Sequence, residues 1–222
     1  IATANAVIMA GGIPVCIDIN HKFEMEINEL KRKINSKTFA VMPVHLYGHF
    51  SNVIEIKRVC RENNLFLIED ASQGVGVCDL EGNYAGTIGD IGVLSFYGNK
   101  FVTSAQGGMI ISNNSKILDK AMKMKNHGRS LKGSFFHEDI GFNFCISDLH
   151  SALGYSQIKR FKDTYKSKSK SFFFKKSFTL SDMCFWNPAE IIGDRSENLS
   201  FSMYKYLLLD EEWNKGLELL GY

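Results

Sequence analysis

Two stretches decide the fold: residues 65–73, with the sequence LFLIEDASQ, and residues 91–100, with the sequence IGVLSFYGNK. Each begins as a short apolar run and then turns polar, which is typical of a buried strand where it leaves a sheet. The first stretch has an acid, Asp70, at the end of its strand, and the second has Ser95 and then Lys100. Ligands of parallel α/β sheets bind beyond these strand ends, so the sequence predicts a site there.

An acid and a lysine in this order are the pair that pyridoxal phosphate requires of a protein. The lysine amine joins the aldehyde of the cofactor, and the acid keeps the pyridine nitrogen protonated so that the ring withdraws electrons. Neither residue is specific alone, because most lysines are surface charges and a strand-end aspartate is often a cap or turn residue. Together, Asp70 and Lys100 predict the catalytic pair of a pyridoxal phosphate enzyme.

The apolar pattern elsewhere alternates between strand and helix. We predict further strands at residues 14–18, 39–42 and 108–112, and helices at residues 28–34, 53–63, from 115 onward and at 147–162. This alternation, with nearly continuous apolar strands, is typical of an α/β fold with a mostly parallel sheet and helices on both faces.

Composition excludes several classes of protein. A hydrophobic content of 45%, a charged content of 23% and a net charge of +2 are those of an ordinary soluble globular protein, and they favour neither nucleic acid nor a strongly acidic partner. The five cysteines are scattered without a C-x-x-C pair, which predicts reduced thiols in a cytoplasmic protein and no zinc or other metal site. No apolar run reaches the ~20 residues of a membrane span.

One cluster of charge stands out between residues 166 and 176, where lysines alternate with serines and aromatic residues. Basic groups beside aromatic rings could bind single-stranded nucleic acid. We favour a solvated helix face instead, because the total charge is nearly balanced. The lysines are Lys166, Lys168, Lys170, Lys175 and Lys176.

Nine short blocks resemble, in order and near the same spacing, the DegT/DnrJ/StrS-type sugar aminotransferases, a branch of the fold-type I pyridoxal phosphate enzymes. They are ATANAV (2–7), PVHLYG (43–48), IEDASQ (68–73), GDIG (89–92), SFYGNK (95–100), GGM (107–109), NHG (126–128), GFNF (141–144) and ALG (152–154). The GNK form of the lysine block is similar to the perosamine synthase-like branch. The likeness covers residues 1 to about 160 and returns faintly near residue 204.

The resemblance implies a role for each matching residue. Asp70 pairs with the pyridinium nitrogen, and Lys100 holds the cofactor. Gln73 lies beside the ring near its phenolic oxygen, and Ser95 binds the phosphate. Asn143 reaches the phosphate of the other subunit, which implies a homodimer with shared active sites.

It also implies the activity and the domains. The expected reaction moves an amino group from an amino acid, glutamate in this family, to a nucleotide-linked keto sugar. Residues 1–160 would be the cofactor-binding large domain. Residues 161–222 would be a connecting helix and the beginning of a small α+β C-terminal domain. We expect the chain to lack the family's N-terminal segment, with its Gly-Thr phosphate contact and an aromatic stacked on the ring.

Two residues depart from the family pattern at positions that would affect substrate placement or the subunit contact. Gln106 stands where the family usually has glutamate, and Cys145 stands where an arginine commonly follows. Three alternatives remain open: a sugar dehydratase, which resembles these proteins but has histidine at the lysine position; a non-catalytic or relic relative; and a nucleic-acid-binding module.

Other polar residues in the matching blocks have ordinary structural interpretations. His45 could lie near the cofactor or could be a hydrogen-bonded structural histidine. His127 is expected to close a helix, and Thr3 is expected to start one.

Overall fold

Four strands form the sheet that positions the predicted site. The computed structural model describes residues 1–130 and 135–174, with side chains to residue 167. The strands are β1 (Ala40–Val41), β2 (Phe66–Asp70), β3 (Ile91–Ser95) and β4 (Gly108–Ile111). The helices are α1 (Ala2–Met9), α2 (Ile27–Lys33), α3 (Val53–Glu62), α4 (Ser115–Lys125), α5 (Asp148–Lys159) and α6 (Phe161–Phe174), with a short 3-10 turn at Leu46–Gly48.

The sheet has the strand order β1-β2-β3-β4, in which the first three strands are parallel and β4 is antiparallel to β3. The predicted α/β fold is therefore confirmed, with one edge strand reversed. In the register, Val41 lies beside Leu67, and Asp70 lies beside Val93. The parallel strands bring the carboxyl ends of β2 and β3 to one edge of the sheet.

Helix α3 covers one face of this sheet because its apolar residues recur at helical spacing. Val53, Ile56, Val59 and Cys60 are all buried, and they form one apolar cluster with Leu67 and with residues of α2. Full burial of each aliphatic side chain contributes roughly 1.5–3 kcal/mol to folding. A second cluster surrounds Leu94, Phe96 and Met109 and includes Ile158 of α5.

The opposite face of the sheet carries the polar strand ends. Side chains alternate along a strand, so Asp70 and Leu67 point to opposite faces. Helix α1 reaches the Asp70 face, where the hydroxyl of Thr3 contacts the Asp70 carboxylate. Helices therefore lie on both sides of the sheet, as predicted.

Two predicted elements were wrong. Residues 14–18 form no strand, because their polar backbone groups bond to α2 side chains: Glu29 accepts from the Asp18 N–H, and Lys33 donates to the Cys16 carbonyl. The helix predicted at 147–162 is two helices, since α5 ends at Lys159 and α6 begins at Phe161.

Several predictions concern residues that the structure does not describe. Lys175, Lys176 and most of the predicted C-terminal domain lie outside the described residues, as does Cys184. The domain boundary at residue 160 therefore stays a prediction. Among the residues that are described, no helix is long and apolar enough to cross a membrane.

Candidate active site

Asp70 and Ser95 are the last residues of two neighbouring parallel strands. Asp70 pairs with Val93, so Asp70, Val93 and Ser95 point to the same face. Neighbouring strands lie about 4.8 Å apart and two residues span about 6.6 Å, which puts the Cα atoms of Asp70 and Ser95 roughly 8 Å apart. Asp70 is 5% exposed and Ser95 is 2% exposed. The structure thus places a buried acid and a buried hydroxyl on one edge.

The Asp70 carboxylate is held at both oxygens. The Thr3 hydroxyl donates to Oδ2 at 2.7 Å, and the Ser72 backbone N–H donates to Oδ1 at 3.1 Å. The Asp70 backbone is also fixed, because its N–H donates to the Pro43 carbonyl and its carbonyl accepts from the His45 N–H. These bonds hold the acid in one place and in one plane.

Lys100 follows β3 on a loop that is closed at its base. The Phe96 N–H donates to the Gly107 carbonyl, and the Ser104 N–H donates to the Phe96 carbonyl, each at 2.9 Å. Within the loop, the Lys100 N–H donates to the Tyr97 carbonyl. Lys100 is only 9% exposed, although lysine is among the residues least often buried in proteins. Its burial beyond a strand end makes Lys100 a candidate for the functional site.

Gln73 is oriented by the turn that follows β1. Its Oε1 accepts from the Tyr47 backbone N–H at 2.7 Å, which leaves the NH₂ group as the other polar end of the amide. Tyr47 is buried and has a φ of 55°, a conformation that costs a bulky L-residue free energy. Such backbone strain is typical of turns that position functional groups.

His45 is a structural histidine. It is fully buried, its Nδ1 accepts from the Ser51 N–H, and its Nε2 lies 2.8 Å from the Glu69 carboxylate. Both ring nitrogens therefore have partners on the face of the sheet opposite Asp70. This position favours the interpretation of His45 as a hydrogen-bonded structural histidine over a place near the cofactor.

Glu69 is the second half of this pair. Its carboxylate also accepts the backbone N–H groups of Gly86, Ile88 and Gly89. Burial raises the pKa of Glu69, but the hydrogen bonds from His45 and from the backbone outweigh it and hold the pKa below its ordinary value. Glu69 thus stays charged in the core and fixes the turn that leads into β3.

Asn143 lies on the surface, in the segment between α4 and α5, where it forms an isolated antiparallel bridge with Asn126. Asp70 and Ser95 end β2 and β3, and Gln73 and Lys100 follow these strands, whereas Asn143 is exposed. His127 has a φ of 57° just after α4 and closes that helix as predicted, with the Gly128 N–H bonded to the Lys123 carbonyl.

The two departures from the family pattern lie at exposed positions. Gln106 is exposed, and its backbone carbonyl accepts from the Ser104 hydroxyl at 2.6 Å. Cys145 is exposed as well, with its thiol 3.7 Å from the Lys125 carbonyl.

Sequence reasoning missed three residues around the site: Thr3, Tyr47 and Glu69. The matching blocks contain all three, but local patterns predict only a helix start, a turn and a strand residue for them. The one sequence signal for Glu69 was that two acids follow each other at a strand end. Successive side chains of a strand point to opposite faces, so one of the two acids must enter the core.

The side chains present fit pyridoxal phosphate. Asp70 offers a buried carboxylate with lone pairs beyond the two already used, Ser95 a buried hydroxyl and Lys100 a buried amine. The carboxylate suits a pyridinium nitrogen, the hydroxyl suits a phosphate, and the amine suits an aldehyde. Among the described residues there is no cluster of His, Cys, Asp and Glu that could hold a metal ion.

Known proteins resemble this chain in sequence and in fold. GDP-perosamine synthase of Vibrio cholerae is 36% identical over 169 residues, which are 76% of this chain and 46% of that protein. PseC of Helicobacter pylori, an aminotransferase involved in pseudoaminic acid biosynthesis, has a solved structure that superposes with a TM-score of 0.71. The match is 28% identical and covers 79% of this chain and 49% of PseC.

A third similarity concerns the fold alone. The structure of Escherichia coli GDP-4-keto-6-deoxy-D-mannose-3-dehydratase, with bound hydrated pyridoxal phosphate, has a TM-score of 0.65 at 21% identity, covering 71% of this chain and 45% of that one. The chain spans about half the length of the curated relatives it matches. Residues 1–179 match the DegT/DnrJ/EryC1/StrS aminotransferase family, and the chain belongs to that family.

Proposed function

We propose that this chain is part of a pyridoxal phosphate-dependent aminotransferase that moves an amino group from an amino acid, glutamate, to a nucleotide-linked keto sugar. The observation that carries the proposal is Lys100, buried beyond β3 at the edge where Asp70 and Ser95 end their strands. The family match and the similarity to GDP-perosamine synthase support the sugar as acceptor.

Each of the four side chains has one task in the proposed reaction. Bound pyridoxal phosphate supplies an aldehyde that captures amines and a ring that withdraws electrons from the neighbouring carbon. Lys100 would hold the cofactor, and its amine, when free, would take the proton from the reacting carbon and return it. The Asp70 carboxylate stabilises the positive charge on the pyridine nitrogen. The Ser95 hydroxyl donates to the phosphate, and the Gln73 amide donates to the phenolic oxygen.

The rival proposals differ in what they require of Lys100. A sugar dehydratase of this fold would have histidine there, so the lysine favours an aminotransferase. A non-catalytic relative would have no need of the acid and lysine pair that pyridoxal phosphate requires. We further propose that the working unit is a homodimer in which Asn143 completes the partner's site.

Borohydride trapping tests the cofactor assignment directly. We expect the intact protein incubated with pyridoxal phosphate to gain a visible absorption band, and reduction with borohydride to fix the cofactor on Lys100. Peptide mass spectrometry locates the modified residue. Lys57 is a control lysine, because it is partly buried on α3, where its amine donates to the Ile88 carbonyl.

The Lys100→Ala variant separates binding from chemistry. It should retain cofactor through phosphate and ring contacts and lose turnover by a factor of about 10³ or more, since general-base catalysis alone contributes 10²–10⁴-fold. Trapped cofactor on any lysine other than Lys100 would contradict the proposal. So would a Lys100→Ala variant whose activity falls only a few-fold.

A further inference from the structure

The orientation of the Asp70 carboxylate depends on its hydrogen-bond donors. The torsion that turns a carboxylate about its Cβ–Cγ bond is broad and soft, so the backbone position of Asp70 does not set the plane of its oxygens. Here each oxygen receives one donor, Thr3 Oγ1 at Oδ2 and the Ser72 N–H at Oδ1. Turning the carboxylate would break both bonds.

The two donors are not equivalent. The Ser72 N–H belongs to the backbone only two residues after Asp70, so this contact is local and does not depend on another element. Thr3 belongs to a different element, 67 residues away in the sequence, and lies in the first turn of α1. Its 2.7 Å hydroxyl bond to a carboxylate is charge-assisted and therefore stronger than a neutral one.

Packing does not account for Thr3 at this position. Helix α1 has no buried residue and no side-chain N-cap, and Thr3 itself is only half-buried. A threonine that served only to start the helix would stand at the N-cap, which is Ile1, and would bond to the backbone of its own first turn. Thr3 instead points its hydroxyl away from its helix, at the acid.

We propose that Thr3 is a positioning residue that sets the plane of the Asp70 carboxylate toward the pyridine nitrogen. This inference rests on the proposed function, because it assigns Thr3 a role in the same site. The hydroxyl occupies one lone pair of Oδ2 and leaves the others for the cofactor. Without it, the carboxylate turns and meets the ring nitrogen at a poorer angle.

The test compares Thr3→Val, which has the same shape without the hydroxyl, with Thr3→Ser, which keeps it. The matched control is Thr87→Val, because the Thr87 hydroxyl also makes a 2.7 Å bond, but to the Tyr84 carbonyl away from Asp70. The readouts are the affinity of the cofactor-free protein for pyridoxal phosphate, kcat, KM and the thermal midpoint. Affinity is measured by absorbance titration.

We expect Thr3→Val to bind the cofactor about 10-fold more weakly and to lower kcat about 10- to 100-fold, with KM within about twofold. Thr3→Ser should stay within about threefold of the wild type on both measures, and Thr87→Val should match the wild type. In the Asp70→Asn background, Thr3→Val should have almost no further effect on cofactor affinity, since the two residues act as one unit.

Three results would overturn the inference. The first is a Thr3→Val variant with wild-type cofactor affinity and kcat. The second is a loss of thermal stability that Thr3→Ser shares, with unchanged binding. The third is full additivity with Asp70→Asn. If Thr3→Val fails to fold, Thr3→Ala is judged by the same criteria. A wild-type protein that captures no cofactor on Lys100 overturns the proposed function as well, whereas capture with an inert Thr3 overturns this inference alone.

Discussion

Glu69 and Asp70 are neighbours in the sequence but point to opposite faces of the sheet. Asp70 faces the site, while Glu69 lies in the core and accepts four hydrogen bonds, from His45 and from three backbone N–H groups. These donors keep the pKa of Glu69 below its ordinary value despite the burial, which by itself raises it. The charge of Glu69 therefore contributes to the stability of the turn before β3.

The pH dependence of unfolding tests this contribution. An unfolded glutamate titrates near pH 4.3, and the folded pKa of Glu69 is lower. The stability from Glu69 is thus full above about pH 4.3 and is lost as the pH falls through the folded pKa. We expect Glu69→Gln to cost about 3 kcal/mol at pH 7, with a difference from the wild type that shrinks in acid.

Denaturant titrations at several pH values measure this difference. Glu81→Gln is the control, because Glu81 is an exposed turn residue and its substitution should change little at any pH. A cost for Glu69→Gln that is the same at pH 3 and pH 7 would contradict the assignment.

Local sequence predicted that Asp70 and Ser95 end buried strands and that Lys100 follows the second of them, because an apolar run that ends in a polar side chain marks the edge of a sheet. It did not predict Thr3, since a contact across 67 residues leaves no local pattern. The role of Glu69 was also missed. Which of two adjacent acids enters the core depends on the register of β2 with β1 and β3, and that register appears only in the fold.

Among the elements, α3 ends in a left-handed residue. Asn64 has a φ of 55°, the Leu65 N–H bonds to the Cys60 carbonyl, and the Asn64 N–H bonds to the Arg61 carbonyl. This is the Schellman arrangement, which satisfies the last free carbonyls of a helix and usually has glycine at this position. Asn64 is exposed, so its side chain packs little.

Substitution of Asn64 tests how much this helix end contributes to stability. Asn64→Gly should raise the free energy of unfolding by about 0.5 kcal/mol, because glycine adopts a positive φ without steric cost. Asn64→Ala should lower it by about 1 kcal/mol. Denaturant midpoints measure both changes. Equal stability of the alanine and glycine variants would mean that the left-handed conformation does not persist in solution.

The positions of helices and strands were predictable where their apolar residues lie on one buried face. The patterns of α3, β2 and β3 gave their positions within a few residues, since those faces are buried. The wrong strand at residues 14–18 has exposed apolar residues, and its hydrogen bonds go to side chains, which no strand pattern describes. The helix predicted at 147–162 is interrupted at Arg160, whose backbone leaves the helical geometry.

At the scale of the whole molecule, large apolar side chains are exposed in the sequence on both sides of Asn143. Phe135, Phe136, Ile140 and Leu149 are 83%, 69%, 89% and 85% exposed. Apolar surface of this kind is typical of protein contacts. It supports the proposed homodimer, in which a two-fold contact through this region would complete two sites at once.

Subunit mixing tests the shared site. Lys100→Ala and Asn143→Asp are each expected to be inactive as homodimers. Mixed under conditions that exchange subunits, they should recover activity of up to about a quarter of the wild type, because half of the dimers are hybrids with one intact site. A mixture with exchange proven by mass spectrometry and no recovered activity would place Asn143 in its own chain's site, or outside the site.

The contact between α1 and β2 also has a consequence for how the protein folds. Pairing Asp70 with Val93 closes a loop of 23 residues, whereas joining Thr3 to Asp70 closes one of 67. The longer closure costs ~0.9 kcal/mol more in chain entropy. Contacts of short sequence separation tend to form first, so we expect β2 and β3 to pair before α1 docks. During refolding, the amide protons of these strands should gain protection from exchange ahead of those of α1.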